Sequence, residues 1–406
     1  MGEEAKFSDI SAKLGLTPLE SPAIIKKGEG SIQIGVPKED SFQEKRTALT
    51  PRSVALLTSR GNEVIIQSGA GEGSRFSDNE YSESGAQIVY SVEDVYKAKV
   101  ILQVTPARKD ELKLMYPGQV IISPVHLSTM DEDYINSLME RKVTALAFEY
   151  LKDDFGTFPM VRSMSEIAGS TAILIAAESL NNFNNGKGYL LGGVSGVPST
   201  RVVILGAGVV GEFASRTAKG LGANVTVFDN SVYKLMRLQN NIGARLSTCN
   251  IQPDLLAEEL ENCDVVIGAI HASEGRTPVI VTEEMVANMK PGSVIIDVSI
   301  DQGGCFETSK VTTHDKPTFR KYDVIHYCVP NIASRVSRTA SAAISNILTP
   351  LLLKGNDMGG MEKLLWYNEG ARHGVYVYNG ALTNQYLSDR FNIKFTDLDL
   401  LFAANI

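Results

Sequence analysis

The sequence has little of several features that would assign it to a specialised class of protein. Cysteine occurs only four times in 406 residues and never as Cys-x-x-Cys, which argues against a disulfide framework and favours a reducing compartment. The apolar runs are far shorter than the roughly 20 residues of a membrane span. The acidic start MGEEAKFSDISAKLG is unlike a secretory signal. We therefore expect a cytoplasmic protein without membrane-spanning segments.

Blocks of positive charge and metal-binding patterns are also missing. The net charge is -8, and the lysines and arginines form no cluster, so neither a nucleic acid nor an anionic membrane is expected as a partner. The five histidines show no metal-ligand spacing with the cysteines, so no metal site is predicted. These exclusions leave a globular protein that acts on small molecules.

What is present is a long alternation of strand-like and helix-like segments. The length suggests two domains. Residues 1–30 are weakly patterned and are interpreted as an N-terminal extension. From Ile32 onward short apolar segments alternate with helical ones such as PRSVALLTSRG, with Pro51 near its start and Gly61 just past its end. A second series runs from RVVILGAG to HYCVPN. We predict an α/β fold with two doubly wound, Rossmann-like domains and mostly parallel sheets.

A long helix is predicted between the two series. Ser163 and Glu166 have the spacing of a capping box in front of an apolar run, which predicts that this helix begins at SMSEIAG. The following segment NNFNNGKGYLLGGVSGVPST is rich in Gly and Asn and is interpreted as a loop or hairpin. Another helical stretch, SAAISNILTPLLL, follows the second series.

The strongest local motif is RVVILGAGVVGEFASRTAKGLGANVTVFD. An apolar strand leads directly into Gly206, Gly208 and Gly211, then a helix, a second strand and Asp229 follow. Glycines at these positions permit a tight turn, backbone approach to a diphosphate and close helix–strand packing, while the helix N-terminus favours the anion. A carboxylate at the end of the second strand binds ribose hydroxyls of NAD and disfavours the extra phosphate of NADP. The motif predicts an NAD site rather than a merely glycine-rich turn.

Two later segments, CDVVIGAI and GSVIIDVSID, have the composition of central parallel strands. Ligands bind at the carboxyl ends of such strands, so Ile270, His271 and Asp301 are expected to border the nicotinamide. Asp297 lies inside its strand and is interpreted as a structural carboxylate.

Much of the chain resembles the alanine dehydrogenase family. The resemblance begins near Ile32 and includes GVPKEDSFQEKRTALTP, QSGAGEGSRFSD, GQVIISPVHL, MSEIAG, LLGGVSGV, the dinucleotide motif, IDQGGCFE and HYCVPN. It implies a substrate domain formed by residues 31–160 and 338–406, an NAD domain formed by residues 161–337, and a homohexamer. The implied reaction interconverts L-alanine with pyruvate and ammonium, using NAD. IDQGGCFE favours this family over the NAD-binding subunit of proton-translocating transhydrogenase.

The resemblance implies roles for three residues. Arg46 would bind the substrate carboxylate through a bidentate guanidinium pair. His126 would exchange a proton with the substrate, since its reference pKa is near the working pH. Asp301 would orient or activate the hydrolytic water, or bind the nicotinamide ribose. Without the resemblance Arg46 would be interpreted as a surface arginine and His126 as a packed histidine at a strand end. For Asp301 the alternative is a turn-forming aspartate, but its place at the ligand edge of the sheet favours a functional role.

The resemblance also implies cofactor contacts beyond Gly206 and Gly211. They are Ser165, Gly208, Val209, Val210, Asp229, Lys234, Ile270, Ile300 and Asn331. For Ser165 a role as a helix cap is the alternative, and for Lys234 a solvated lysine on a helix is the alternative.

One substitution separates this chain from the family pattern. Where the family has a lysine that binds the substrate carboxylate, the segment Gln103–Ala107 places Thr105. A hydroxyl does not replace the charge, so carboxylate affinity should fall or the substrate should differ. Arg108 or Lys109 are candidates to compensate, and the alternative is that both face solvent. The alternatives are therefore a divergent NAD-binding member with another amino-acid substrate or no turnover, and a transhydrogenase subunit.

Overall fold

Two parallel-stranded units form the described part of the chain. The computed structural model describes residues 31–40, 43–125, 130–272 and 275–403. The N-terminal extension, residues 1–30, and His126 lie outside these ranges.

The strands are short and mostly buried. In chain order they are β1 (Gln33–Val36), β2 (Glu63–Gln67), β3 (Gln87–Val89), β4 (Val100–Leu102), β5 (Val120–Ser123), β6 (Thr144–Ala147), β7 (Arg201–Leu205), β8 (Asn224–Phe228), β9 (Ser247–Cys249), β10 (Val265–Gly268), β11 (Val294–Asp297), β12 (Thr318–Lys321), β13 (Val324–Tyr327), β14 (Val375–Tyr378) and β15 (Ala381–Leu382). Strands β4, β5, β6, β10, β11 and β13 are buried at every residue, as expected where helices cover both faces of a sheet.

The strands form two sheets with the same central order. The first sheet runs β15-β14-β6-β5-β4-β1-β2-β3, and the second runs β12-β13-β11-β10-β7-β8-β9. Neighbours are parallel except for β14 and β15 in the first sheet and β12 in the second. In the first sheet β1 lies between β2 and β4, and in the second sheet β7 lies between β8 and β10. In both cases the strand that comes first in the chain is central, which is the doubly wound order. The predicted fold class is confirmed.

Helices connect the strands. They are α1 (Pro51–Ser59), α2 (Asp78–Glu83), α3 (Val92–Val95), α4 (Lys109–Leu112), α5 (Glu132–Glu140), α6 (Pro159–Ser179), α7 (Val209–Gly220), α8 (Val232–Ile242), α9 (Pro253–Asn262), α10 (Glu283–Ala287), α11 (Ser337–Asp357), α12 (Met361–Tyr367), α13 (Glu369–Arg372), α14 (Gln385–Phe391) and α15 (Leu398–Ala403). None of them, within the described ranges, is both long and apolar enough to cross a bilayer.

The predicted ends are right for one helix and wrong for another. Helix α1 begins at Pro51 as expected, and Gly61 follows it with φ +89°. Helix α6 begins at Pro159 and not at Ser163, so Ser163 and Glu166 form no capping box. Glu166 instead pairs with Arg162 one turn earlier, at 2.9 Å. A proline fits the first turn of a helix because its missing N–H needs no partner there, and it therefore starts α6 upstream of the serine.

Serine hydroxyls from the second half of the chain hold the irregular segment between β1 and α1. The backbone N–H groups of Lys45, Thr47 and Thr50 donate to the hydroxyl oxygens of Ser334, Ser341 and Ser345, at 2.9, 2.9 and 3.0 Å. The last two serines lie on α11. These bonds satisfy backbone groups that no strand or helix partner reaches.

Replacing one of these serines tests the contribution of the contact to stability. In Ser341→Ala the buried N–H of Thr47 loses its acceptor, so we expect unfolding in urea to require about 1–3 kcal/mol less free energy. Ser337→Ala is the control, because its hydroxyl only donates to Gly73 at the partly exposed start of α11, and a loss of about 0.5 kcal/mol or less is expected. Equal losses in the two variants would contradict this interpretation.

Candidate functional site

The site lies at the carboxyl ends of the strands in both sheets. In a doubly wound sheet the connections from the two central strands leave in opposite directions and open a crevice between them. In the second sheet these strands are β7 and β10, which lead into Gly206 and Ala269. In the first sheet they are β1 and β4, which lead toward Glu39 and Thr105.

The three glycines after β7 have the geometry that a diphosphate needs. Gly206 has φ +109°, and a β-carbon there would lie 2.4 Å from the carbonyl oxygen of Ala269. A β-carbon on Gly211 would lie 1.9 Å from the carbonyl oxygen of Gly206, so α7 packs against the loop only because the residue is glycine. Gly208, by contrast, has no neighbouring atom within 4 Å of that position. The open side of the loop is therefore at Gly208.

Helix α7 starts at this opening. Its N-cap is Gly208, which has no side chain to bond the first-turn N–H groups, and Val209 and Val210 form the first turn. Free N–H groups together with the helix dipole favour an anion. The glycine loop and the helix end thus fit the diphosphate of a dinucleotide.

Asp229 follows β8, next to the glycine loop. One carboxylate oxygen accepts the N–H of Ala207 and the other accepts the N–H of Ser231, both at 2.8 Å. Each oxygen of a carboxylate can accept more than one hydrogen bond, so these contacts leave capacity for ribose hydroxyls. The side chain is fixed in orientation before a ligand arrives.

The other predicted cofactor residues lie on different elements and differ in exposure. Ile270 follows β10 and is partly buried, while Ile300 is buried in the 3₁₀ turn Val298–Gln302 after β11. Ser165 is inside α6, so the helix-cap alternative is wrong. Lys234 lies exposed on α8, and its backbone N–H is capped by Ser231.

Arg46 forms a bidentate ion pair with a buried carboxylate. Its Nε and Nη2 donate to the two carboxylate oxygens of Glu44, at 2.8 and 2.7 Å, and its Nη1 lies 3.4 Å from the sulfur of Met164 on α6. The Glu44 side chain is only 2% exposed, against 13% for Arg46. Burial alone would raise the pKa of Glu44, but the hydrogen bonds and charge of Arg46 outweigh it and hold that pKa below its usual value. The guanidinium is therefore fixed, and it keeps further N–H donors for a ligand.

Asn331 connects this pair to Asp301. Its side-chain amide donates to Glu44 at 2.8 Å, and its backbone N–H donates to the Asp301 carboxylate at 3.1 Å. Asn331 has φ +55°, a left-handed conformation that asparagine tolerates better than most residues. Asp301 is open to the cleft on one side, yet the surrounding protein raises the pKa of its carboxyl, and the Asn331 N–H and the Arg46 charge oppose this only in part.

Thr105 contacts a carboxyl group, not a cation. The Thr105 hydroxyl and backbone N–H both donate to Glu39, as does the backbone N–H of Val104. Burial raises the pKa of Glu39 to about 7, and the nearby charge of Glu44 adds to this, while the three donors act in the opposite direction. The residue at the position of the family lysine, Thr105, therefore contacts a carboxyl group whose pKa is close to neutral pH.

Neither of the two cations proposed to compensate for that lysine reaches the site. Arg108 pairs with Asp40, Asp110 and Glu111. Lys109 pairs with two aspartates near the start of α5, at 3.2 and 3.0 Å. Both side chains are largely exposed, at 42% and 58%, which supports the alternative that they face solvent.

His126 itself falls outside the described residues, but the residue before it is well defined. The N–H of Val125 donates to the carboxylate of Glu149, in the 3₁₀ turn after β6, at 2.8 Å. Val125 therefore lies at the carboxyl edge of the first sheet, the same edge that carries Glu39 and Thr105.

Known proteins are similar to this chain along most of its length. The alanine dehydrogenase/PNT N-terminal domain model matches residues 35–168, and the C-terminal domain model of the same family matches residues 172–385. An alanine dehydrogenase of Mycolicibacterium smegmatis is 38% identical over 365 residues, which are 90% of this chain and 98% of that protein. The chain belongs to the alanine dehydrogenase/PNT family. Enzymes of this family depend on pyridine nucleotides and act on small-molecule substrates.

Two solved structures extend the comparison. A structure of an L-alanine dehydrogenase has a TM-score of 0.83 and 36% identity, and covers 88% of this chain and 99% of its own. A transhydrogenase from Sinorhizobium meliloti has a TM-score of 0.74 and 26% identity, and covers 86% and 98%. The fold is thus common to both branches of the alanine dehydrogenase/PNT family, and the fold alone does not separate them.

Sequence reasoning missed two carboxylates of the candidate site: Glu39, which contacts Thr105, and Glu44, which contacts Arg46 and Asn331. Both belong to GVPKEDSFQEKRTALTP, a segment quoted for its resemblance to the family. The signal that was available is their position: they follow an apolar strand and stand close to Arg46 in the chain.

Two glycine variants test whether the opening at Gly208 receives the dinucleotide. Gly208→Ala adds a methyl group to open space, so the fold should persist, but NADH should bind at least about tenfold more weakly in a fluorescence titration, because the methyl occupies the space of the diphosphate. Gly220→Ala is a matched control at the other end of α7, where the added methyl also meets no atom within 4 Å. The assignment is wrong if Gly208→Ala binds NADH as tightly as Gly220→Ala.

Proposed function

We propose that this protein is an NAD-dependent alanine dehydrogenase. It converts L-alanine, NAD⁺ and water into pyruvate, ammonium, NADH and a proton, and also catalyses the reverse reaction. The observation that carries this proposal is the cluster in which the fixed guanidinium of Arg46 is joined through Glu44 and Asn331 to Asp301, at the same edge of the fold as the dinucleotide loop.

Each residue has a role that follows from its chemistry. Arg46 binds the substrate carboxylate with the donors not used by Glu44. His126 accepts the proton of the substrate ammonium group and returns a proton in the reverse direction. Asp301, open to the cleft and hydrogen-bonded to Asn331, orients the water that attacks the imine. Bound NAD⁺ supplies the hydride acceptor.

The choice of NAD over NADP is supported by Asp229. Its carboxylate lies beside the glycine loop and would repel a phosphate on the adenosine ribose. We propose the contacts named in the sequence analysis, from Ser165 to Asn331, for the remainder of the cofactor.

We also propose how the chain is organised. Residues 31–160 and 338–406 would form the substrate domain and residues 161–337 the NAD domain, since the first sheet takes strands from both ends of the chain. The protein would assemble as a homohexamer in the cytoplasm. Exposed apolar side chains in the segment between α6 and β7, such as Phe183 at 98% and Leu190 at 66%, support an interface between subunits.

The alternative is a divergent member of the family that oxidises another amino acid or does not turn over. Thr105, next to Glu39 and without a substitute cation among the described residues, is the observation that favours it. Hydride transfer between two nucleotides, as in a transhydrogenase, has less support here because the family resemblance at IDQGGCFE points to the dehydrogenase branch.

A substrate panel tests the proposal. The purified protein should form NADH with L-alanine at alkaline pH, where the amine loses its proton more readily, and should oxidise NADH with pyruvate and ammonium. NADP⁺ should be a poor substitute for NAD⁺. A folded protein that is silent with every amino acid and 2-oxo acid of the panel would overturn the proposal, and turnover with another amino acid alone would establish the alternative.

Replacing Arg46 tests its proposed contact with the substrate. Arg46→Lys keeps the charge but loses the bidentate geometry, so we expect kcat/KM for alanine to fall about 100-fold, mainly through KM. Arg108→Lys makes the same exchange at an arginine that pairs with exposed Asp40 and Asp110 and, at 3.4 Å, with buried Glu111, and it should stay within about twofold of the wild type. Similar kinetics for the two variants would remove Arg46 from the substrate site.

A further inference from the structure

Glu39 occupies an unusual position for a carboxyl group. It lies at the crevice between β1 and β4, the place in a doubly wound sheet where a ligand binds, and it joins the loops that follow those strands. A carboxyl group that only joined loops would be expected to pair with a cation or to lie in solvent. Glu39 has no ion pair among the described residues and is only partly exposed.

The described charged residues on the segments next to Glu39 form ion pairs with other residues. On its own segment Lys38 pairs with Glu72, and Glu44 pairs with Arg46. From the β4 side, Arg108 pairs with Asp40, Asp110 and Glu111, and the Tyr96 hydroxyl donates to the amide oxygen of Gln103. A second negative charge brought to this crevice by a substrate carboxylate would therefore meet Glu39 and Glu44 with only Arg46 to balance them.

The hydroxyl of Thr105 provides a way to relieve this repulsion. In the structure it donates its hydrogen to Oε2 of Glu39. A hydroxyl donates one hydrogen and accepts others, whereas a protonated carboxyl is itself a donor. If Oε2 carries a proton, it can donate to Thr105 Oγ1, and the threonine hydrogen becomes available for another acceptor.

We propose that Glu39 is a specificity-determining residue of the substrate site, which takes up one proton from solvent when a 2-oxo acid binds. The Glu39 O–H then donates to Thr105 Oγ1, and the Thr105 hydroxyl turns its hydrogen to the bound carboxylate. The carboxylate of Glu39 becomes a carboxylic acid, so the site loses one negative charge as the substrate brings one. The raised pKa of Glu39, about 7, makes this uptake accessible at neutral pH. The inference rests on the proposed function, because it requires a 2-oxo acid in this crevice.

The relay predicts a pH dependence of binding with a definite sign. Only the protonated form of Glu39 frees the Thr105 hydrogen, so affinity for an anionic substrate should be high below the pKa and fall above it. With a pKa of about 7, the Kd of oxamate, an unreactive isostere of pyruvate, for the enzyme–NADH complex should rise about tenfold between about pH 6 and pH 8. Calorimetry in two buffers of different ionisation enthalpy measures the proton taken up.

Three variants separate the relay from other titrating groups such as His126 and Asp301. Thr105→Val removes the hydroxyl, so oxamate should bind weakly at both pH values, and the proton uptake of nearly one seen in the wild type at about pH 8 should be lost. Thr105→Ser keeps the hydroxyl and should behave as the wild type. Glu39→Gln carries a permanent donor, so its oxamate affinity at about pH 8 should exceed that of the wild type by up to about tenfold. Because the carboxylate is bound alike before and during the reaction, KM for pyruvate should change more than kcat.

The outcomes distinguish this inference from the proposed function. Wild-type protein that binds oxamate and turns over alanine, with a pH dependence and proton uptake unchanged in Thr105→Val and Glu39→Gln, would overturn the relay alone. A wild-type protein that binds NADH but neither oxamate nor alanine would overturn both. Thermal unfolding of each variant shows whether a loss of binding reflects a loss of fold, and Glu39→Gln stays informative because it predicts a gain.

Discussion

The ion pair of the buried Glu44 carboxylate with Arg46 is the interaction on which the candidate site depends. The carboxylate neutralises Arg46, accepts the amide of Asn331 and so connects the loop after β1 to the loop after β13, 287 residues away in sequence. A buried charge without a partner is strongly destabilising, by about 3–5 kcal/mol for a broken buried pair, so these contacts are maintained together. The Arg46 guanidinium is fixed because the buried Glu44 carboxylate needs a charged partner. The N–H groups of Arg46 that do not bond Glu44 are thereby held in place for a ligand.

The backbone around Arg46 is constrained in the same way. The segment from Lys45 to Thr50 lies between a strand and a helix and has no ladder of its own, and serine hydroxyls supply the acceptors for its N–H groups. Two of those serines lie on α11, which follows the last strand of the second sheet. The side chain that would bind substrate therefore rests on elements from both halves of the molecule, which gives the site the rigid support that precise binding requires.

The sequence predicts this protein well where the signal is local. Alternating apolar segments predict the two parallel sheets, because the pattern that makes a strand is contained in a few consecutive residues. The glycines after β7 predict the dinucleotide loop, because the φ of +109° at Gly206 favours glycine at that position itself. The start of α6 was mispredicted although its signal is local, since Pro159 competes with the capping pattern at Ser163. The pairing of Glu44 with Arg46 is local, but the contacts of Glu39 with Thr105 and of Glu44 with Asn331 were not predictable in this way. These partners are distant in sequence and no periodicity connects them.

The substitution at Thr105 shows why a residue cannot be interpreted apart from its partner. Viewed alone, a threonine in place of a cation only removes a charge. Together with Glu39, the threonine makes the charge at this point of the site variable. The desolvated carboxyl beside its hydroxyl can gain or lose a proton, whereas a lysine would keep a fixed positive charge. In the proposed relay, burial raises the pKa of Glu39, and a proton from solvent takes the place of a fixed positive charge. Binding of an anion in this crevice is thereby coupled to pH.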